Sequence, residues 1–282
     1  MRPYSRVYAT VNLDAVASNM RSMRDNLPAS TLIMGSVKAD GYGHGSVPVA
    51  KTIEPYVFGY AVATIDEGII LRRHGINKTI LILGVTHESR YEDLLRYDIR
   101  TAMFQYEKAK KLSDLALKQG KKAVVHLALD TGMSRIGMKA DREHAKEAAA
   151  IAALEGIEVE GLFTHFARAD ETDKSAYEEQ YRRYKEFLGY LKELGVKIPI
   201  RHCSNSAGIV ESLESNHMDM VRAGIAIYGM YPSDEVDHNS VKLTPAMEIK
   251  SCITYIKEIE AGTAVSYGGT FVADHTMKVA TI

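Results

Sequence analysis

The chain has no tryptophan and only two cysteines, Cys203 and Cys252, far apart and in no CxxC arrangement. Neither a disulfide framework nor a zinc cluster can be built from them. An excess of charge of either sign is also missing, with 35 Lys+Arg against 36 Asp+Glu. Nothing in that balance attracts a nucleic acid or an anionic membrane surface. No stretch comes near the roughly 18 apolar residues that span a bilayer, and the opening MRPYSRVYATVNLDAV carries no apolar signal-peptide core. These absences point to a soluble, unsecreted protein of a reducing cytoplasm, with a small molecule as its partner.

Core-building material is ample. Hydrophobic residues make up 46% of the chain and charged ones 25%, which is ordinary globular usage and argues against disorder. Short apolar or β-branched runs recur near 31–37, 56–62, 79–83, 98–103, 123–129, 157–163, 198–203 and 218–223. Between them lie amphipathic segments such as DREHAKEAAAIAALEG and KSAYEEQYRRYKEFLGYLKELG, several with glycine at their ends. Eight strand–helix units in about two hundred residues predict an α/β fold of the (β/α)₈ TIM-barrel type, because an open doubly wound sheet rarely reaches eight parallel strands. An extra strand over residues 5–13 precedes the first helix, so the barrel domain is read as residues 1–235. After the polar stretch PSDEVDHNS, residues 236–282 are strand-like with turn residues and no long helix. Such a short β segment buries too little to stand alone, so an incomplete, mostly-β C-terminal domain of a truncated chain is expected.

The residues that carry chemistry fall at the predicted strand ends. SVKADGYGHG puts Lys38 directly after the apolar run TLIMGSV and before a glycine-rich turn. The fifth strand runs into DTGMSR, with Asp130 and Arg135, and the sixth into THF, with His165. The seventh runs into CSNSAG, with Asn205 and Ser206, and the eighth into VRAGI, with Arg222, Gly224 and Ile225. Barrel enzymes keep their sites on this rim, and the loops after the last two strands often hold a phosphate. Ser206 offers a hydroxyl there, and Gly224 lets the backbone approach an anion closely. The apolar approach to Lys38 is expected to keep its amine out of water and lower its pKa, as a lysine needs before it condenses with an aldehyde. A lysine and a phosphate cradle without metal-ligand spacing point to pyridoxal 5'-phosphate. GYGHG is not GxGxxG, and no ribose-binding acid follows it. His126, His202 and His217 show neither HxH nor HExxH spacing and read as structural.

VKADGYGHG, DTGMSRIGM, THFARAD, CSNSAG, VRAGIAIYG and VSYGGTF together resemble the alanine racemases, over nearly the whole chain. The resemblance implies a pyridoxal-phosphate isomerase that interconverts L- and D-alanine as a head-to-tail homodimer and supplies D-alanine for peptidoglycan. It makes Lys38 the Schiff-base lysine and the base on one face of the substrate, and Tyr267, from the partner subunit, the base on the other. His165 becomes the neighbour of that tyrosine. Tyr42, Ser206 and the backbones of Gly224 and Ile225 become phosphate contacts, with Asn205 beside them. Arg222 is implied to hydrogen-bond the pyridine nitrogen, and Arg135 to meet the substrate carboxylate and the cofactor's phenolic oxygen.

Two departures from the family pattern stand out. Many members carry a carboxylated lysine where this chain has Ala128, so an anion such as chloride, or a neighbouring side chain, is expected beside Arg135. The family's further tyrosines and gate residues lie beyond Ile282. Specificity stays open between alanine, serine and a broader set of amino acids. A non-catalytic pyridoxal-phosphate barrel would lack the second domain that VSYGGTF announces. A decarboxylase would surround its lysine differently, and a metal-dependent hydrolase would need clustered His and Asp. Each residue also has a plain structural reading: Lys38 as a surface lysine, His165 as a core histidine, Arg222 paired with Asp219, Ser206 as a helix cap, Tyr267 as strand packing.

Overall fold

The computed structural model describes residues 6–282; Ser5, where the predicted extra strand begins, lies outside them. Strand β1 (Val7–Val11) comes first, followed by β2 (Leu32–Ser36), β3 (Gly59–Val62), β4 (Thr79–Ile82), β5 (Arg100–Met103) and β6 (Ala123–Asp130). After the two-residue β7 (Met138–Lys139) come β8 (Ile157–Phe163), β9 (Ile200–His202) and β10 (Met220–Ala223). Apart from β1, these strands pair in parallel with their neighbours, β7 only as an appendage to β6, and β10 returns to β2 from Met220↔Leu32 to Ala223↔Gly35, closing a barrel. The eight apolar runs of the sequence are the eight barrel strands. They read as continuous rather than alternating because both faces of a parallel sheet are covered.

Helices pack outside. Asn12, Thr64 and Asp141 cap three of them with their side chains. The helix Ser175–Glu193 buries Tyr177, Tyr181, Tyr184, Phe187 and Leu191 along one stripe. Inside the barrel, Met34, Ala61, Leu81 and Met220 form one apolar layer, and Ala102, Ala128 and Phe163 form another cluster. His126, His202 and Arg222 are also inward-facing, alternating with Leu127, Cys203, Val221 and Ala223, which belong to the outer core. The β6–β8 ladder carries a bulge: Val125 pairs with Val159 but His126 pairs with Gly161, so Glu160 is the extra residue.

Two compact units emerge, Asn12–Ala246 and the residues up to Val11 together with Met247–Ile282. The division therefore falls at 246/247 instead of 235/236, and the extra strand leaves the barrel: β1 pairs antiparallel with β11 (Met247–Ser251). The stretch read as a polar linker is docked, which is why the boundary moves. Val236, Val241 and Ala246 are buried. Asn19 donates to the carbonyl of Thr244 (2.9 Å) and accepts its N–H (2.7 Å). Gly229 sits at φ 83°, where a Cβ would fall 1.9 Å from the Thr244 carbonyl oxygen.

The smaller unit continues with β12 (Tyr255–Ile259), β13 (Ala264–Val265), β14 (Phe271–Val272) and β15 (Met277–Thr281). It consists of two-stranded ladders, β1–β11, β12–β15 and β13–β14, and leaves Ile249, Tyr255 and Ile256 exposed. Among the described residues, no helix is long and apolar enough to cross a membrane.

Candidate active site

Beyond β2 the backbone enters a conformation that L-residues avoid. Ala39 (φ 50°), Asp40 (φ 50°), Gly41 (φ 62°) and Tyr42 (φ 54°) are left-handed in succession, at about 1–2 kcal/mol for each residue with a side chain. Neighbouring groups hold this turn. Glu67 accepts the N–H groups of Ala39 (2.8 Å) and Ala63 (2.7 Å). Asp40 Oδ1 accepts from Ser46 N–H (2.8 Å), and its carbonyl from Gly45 N–H (2.8 Å). The result brings the Lys38 Nζ to 5.6 Å from the centroid of the Tyr42 ring. Tyr42 leans on Tyr228 (5.0 Å between centroids), whose hydroxyl donates to the Ser36 carbonyl (2.9 Å).

Lys38, Tyr42, His165, Ser206, Arg222 and Gly224 surround an open cleft of about 630 Å³. A second lobe of about 500 Å³ shares Lys38, His165 and Arg222 and adds Ala128, Arg135 and Phe163. The approach to Lys38 is sealed, with Val37 fully buried, but Lys38 itself is only half-buried. The residue is therefore less withdrawn from water than its apolar approach predicts, and it lines both lobes.

The first lobe has the form of an anion cradle. Ser206 Oγ accepts the N–H groups of Gly224 (2.9 Å) and Ala226 (3.3 Å), which leaves its hydroxyl proton to donate outward. A Cβ on Gly224 would stand 3.4 Å from the Tyr42 hydroxyl oxygen and 3.5 Å from Ser206 Oγ, filling the space between them. The Gly224 N–H is thus engaged by Ser206 itself. The helix Ser206–Val210 is capped not by Ser206 but by Asn205, whose Oδ1 accepts from Gly208 N–H (3.2 Å) while Nδ2 donates to the Phe166 carbonyl (3.2 Å). Asn205 thereby ties two rim loops together at the cleft wall.

Arg222 is buried along its whole length. Its guanidinium donates to the carbonyls of Thr164 (2.7 Å), Cys203 (3.0 Å) and His202 (3.2 Å), to His202 Nδ1 (3.0 Å) and to His165 Nδ1 (3.3 Å). Asp219 is engaged elsewhere, with Arg201 at 2.6 Å. Burial brings the Arg222 pKa down to about 10, which still leaves a cation at neutral pH. Because a guanidinium only donates, His165 Nδ1 must accept and its proton must sit on Nε2. Burial, then the charges of Arg222, Arg135 and Lys38, push the pKa of His165 down to about 3, so the ring is a neutral donor.

Asp130 Oδ1 accepts the N–H groups of Gly132 and Ser134 (3.0 Å each), and β7 pairs back onto β6. Residues 131–137 therefore arch over the rim and present Arg135, which is exposed. The wall beneath, Ala128 against Ala102 and Phe163, is apolar. Tyr267 lies in the other unit, at the 3₁₀ turn Tyr267–Gly269 between β13 and β14 rather than on a strand, and is fully exposed.

Of the residues singled out in the sequence, Lys38, Tyr42, Arg135, His165, Asn205, Ser206, Arg222, Gly224 and Ile225 line the two lobes. Ser36, Asp170 and Pro232 line them too without having stood out, although Asp170 closes the motif THFARAD. His202, read as structural, touches Arg222; the one available signal was that both sit near the ends of adjacent strands. The Cys203 thiol is pushed up to about 12 by burial and is no nucleophile. Among the described residues lining the two lobes, Lys38, Arg135 and Arg222 face a single carboxylate, Asp170. That balance and the hydroxyl-lined cradle fit a phosphate at one end and a carboxylate near the other.

Residues 11–232 match the family described as alanine racemase, N-terminal domain, and residues 246–282 that described as alanine racemase, C-terminal domain. The chain belongs to the alanine racemase family. Alanine racemase of Desulforamulus reducens is 42% identical over 277 residues, spanning 98% of this chain and 75% of that protein. A solved alanine racemase from Clostridium difficile 630 superposes with a TM-score of 0.91 at 40% identity, covering 99% of this chain and 73% of that one. Alanine racemase from Bacillus anthracis, solved with bound L-Ala-P, gives 0.88 at 32% identity, covering 99% and 72%. Membership in the alanine racemase family places the chain among the isomerases.

Proposed function

We propose that the chain interconverts L- and D-alanine with pyridoxal phosphate held in the rim cleft, as a head-to-tail homodimer of the cytoplasm whose D-alanine serves peptidoglycan. One observation carries the reading: Lys38, the cradle at Ser206 and Gly224, and the buried guanidinium of Arg222 surround one cleft. Bound there, the cofactor supplies an electron sink for charge developing at the substrate α-carbon.

Inverting a stereocentre means removing a proton from one face and returning one to the other, so two bases are needed. Lys38 Nζ holds the cofactor and moves the proton on one face. Tyr267, standing free on its turn, serves the opposite face of the cleft of a second copy. His165 donates its Nε2 proton to that phenolic oxygen and so favours the deprotonated form. Arg222 would face the pyridine nitrogen as a donor and, keeping its own proton, would leave that nitrogen neutral. Arg135 meets the substrate carboxylate, with a small anion such as chloride accommodated beside Ala128. Ser206 and Tyr42 would grip the phosphate, and Asn205 keeps the loop of Ser206 in register.

The test is direct. The purified protein should carry a cofactor absorbance that borohydride fixes onto the Lys38 peptide, and should abolish the optical rotation of L-alanine faster than that of L-serine. A cofactor-free protein, or an adduct on another lysine, sinks the reading; faster turnover of serine reassigns the substrate.

A further inference from the structure

The barrel interior beneath Arg222 holds polar groups that the chemistry above leaves unused. His202 and His126 are fully buried. Arg222 Nη1 lies 3.0 Å from His202 Nδ1, His202 Nε2 lies 2.8 Å from His126 Nδ1, and His126 Nε2 lies 2.9 Å from Glu160 Oε2. Arg100 Nε stands 3.5 Å from the same carboxylate oxygen.

Protons can be placed along this line in one way only. The guanidinium donates, so His202 Nδ1 accepts and its proton is on Nε2. That N–H points at His126 Nδ1, which must accept, so the His126 proton is on Nε2 and goes to Glu160. Burial keeps both rings neutral, against the pull of Glu160 on His126. Burial opposes the charge on Glu160, but the His126 bond and the charge of Arg100 hold it as a carboxylate. Moving the proton to Nδ1 on either ring alone would set two N–H groups against each other at one contact and leave two acceptors facing at the other.

The strands are shaped to admit this line. Counted from Ile157 and Val159, which pack in the outer core, Glu160 points inward; Gly161, the next residue, also faces inward because it pairs with His126. The bulge lets these two successive residues share the inner face. At the next position a Cβ on Gly161 would fall 2.5 Å from His126 Nδ1, so the ring needs the space that glycine leaves.

We propose that Glu160, His126 and His202 form a one-way hydrogen-bond relay that fixes Arg222 as a charged donor aimed into the cleft, making the three positioning residues for turnover. The carboxylate at the far end polarises each ring in turn and strengthens the last acceptor, His202 Nδ1. The effect on turnover rests on the reading of Arg222 given above, whereas the proton arrangement does not depend on it.

Two measurements on the holoenzyme test this. With ¹⁵N-labelled histidine, long-range nitrogen–proton correlations should show His126 and His202 neutral with the proton on Nε2 from pH 6 to 9. Either ring protonated on Nδ1, or cationic at pH 7, overturns the relay even where no variant can be made. Glu160→Gln keeps an acceptor oxygen but removes the charge. It should lower kcat in both directions about tenfold, the order of one weakened charge-assisted hydrogen bond, with KM for alanine within twofold. An unchanged kcat overturns the proposal. Protein that shows the expected tautomers but racemises nothing refutes the proposed function and leaves the proton arrangement standing.

Discussion

The two lobes of the cleft are built differently. Around the cradle each group is held before any ligand arrives: Ser206 by two backbone N–H groups, Tyr42 by Tyr228, Arg222 by three carbonyls and two imidazoles. On the other side Arg135 projects from an arch, exposed, over an apolar wall at Ala128. A preorganised group binds without an ordering cost, whereas a loose one is ordered only by what it binds. On the proposed function the lesson is a division of labour, with cofactor grip written into the fold and recognition of the substrate carboxylate completed by ligand.

The largest expected effect comes from Lys38, which lines both lobes. Lys38→Ala should lower racemisation by on the order of 10⁴ or more and leave no borohydride adduct, read by peptide mass and polarimetry. Tyr267→Phe should reduce racemisation by about 10²–10⁴ yet still exchange the α-proton of one alanine enantiomer with deuterated solvent. Exchange of both, or of neither, would remove Tyr267 from the second face.

Ser206→Ala should weaken cofactor affinity about tenfold to a hundredfold, with kcat restored by excess cofactor, as a cofactor titration will read. Arg135→Ala should instead raise KM for alanine about tenfold and leave cofactor affinity nearly untouched. Replacing chloride by a bulky anion should raise KM in the parent protein and not in this variant. If Arg135→Ala sheds cofactor as Ser206→Ala does, the contrast between the lobes is lost.

The smallest effect is on stability. His165, at about 3, and the more deeply buried His126 and His202 all sit below the ordinary imidazole value. Between there and about 6.5 the unfolded chain binds more protons than the folded one, so stability is fully present above that range and is lost as pH falls. The urea midpoint should therefore drop from pH 7 to pH 5, and His165→Asn should flatten that slope.

The barrel was legible because each parallel strand is a short run buried on both faces. The rim was legible because Lys38, His165 and Arg222 each end such a run. What the sequence hid depends on partners far along the chain. PSDEVDHNS looks solvated by composition, yet it is anchored by the buried Val236 and by Ser240, whose hydroxyl donates to the Val210 carbonyl. That Glu160 and Gly161 both face the barrel interior follows from a register shift against β6 that no local pattern records. GYGHG announced a turn but not its hand, which is imposed by Glu67 and Ser46.

That hand reverses a familiar rule. In an ordinary helix, exchanging alanine for glycine loosens the protein by about 0.5–1 kcal/mol. At Ala39 the native φ of 50° already disfavours a side chain by about 1–2 kcal/mol, and the N–H to Glu67 survives the exchange. Ala39→Gly should therefore raise the melting temperature slightly, marking the bend beside Lys38 as a spot where the native chain sits under mechanical tension that trimming a single methyl would release.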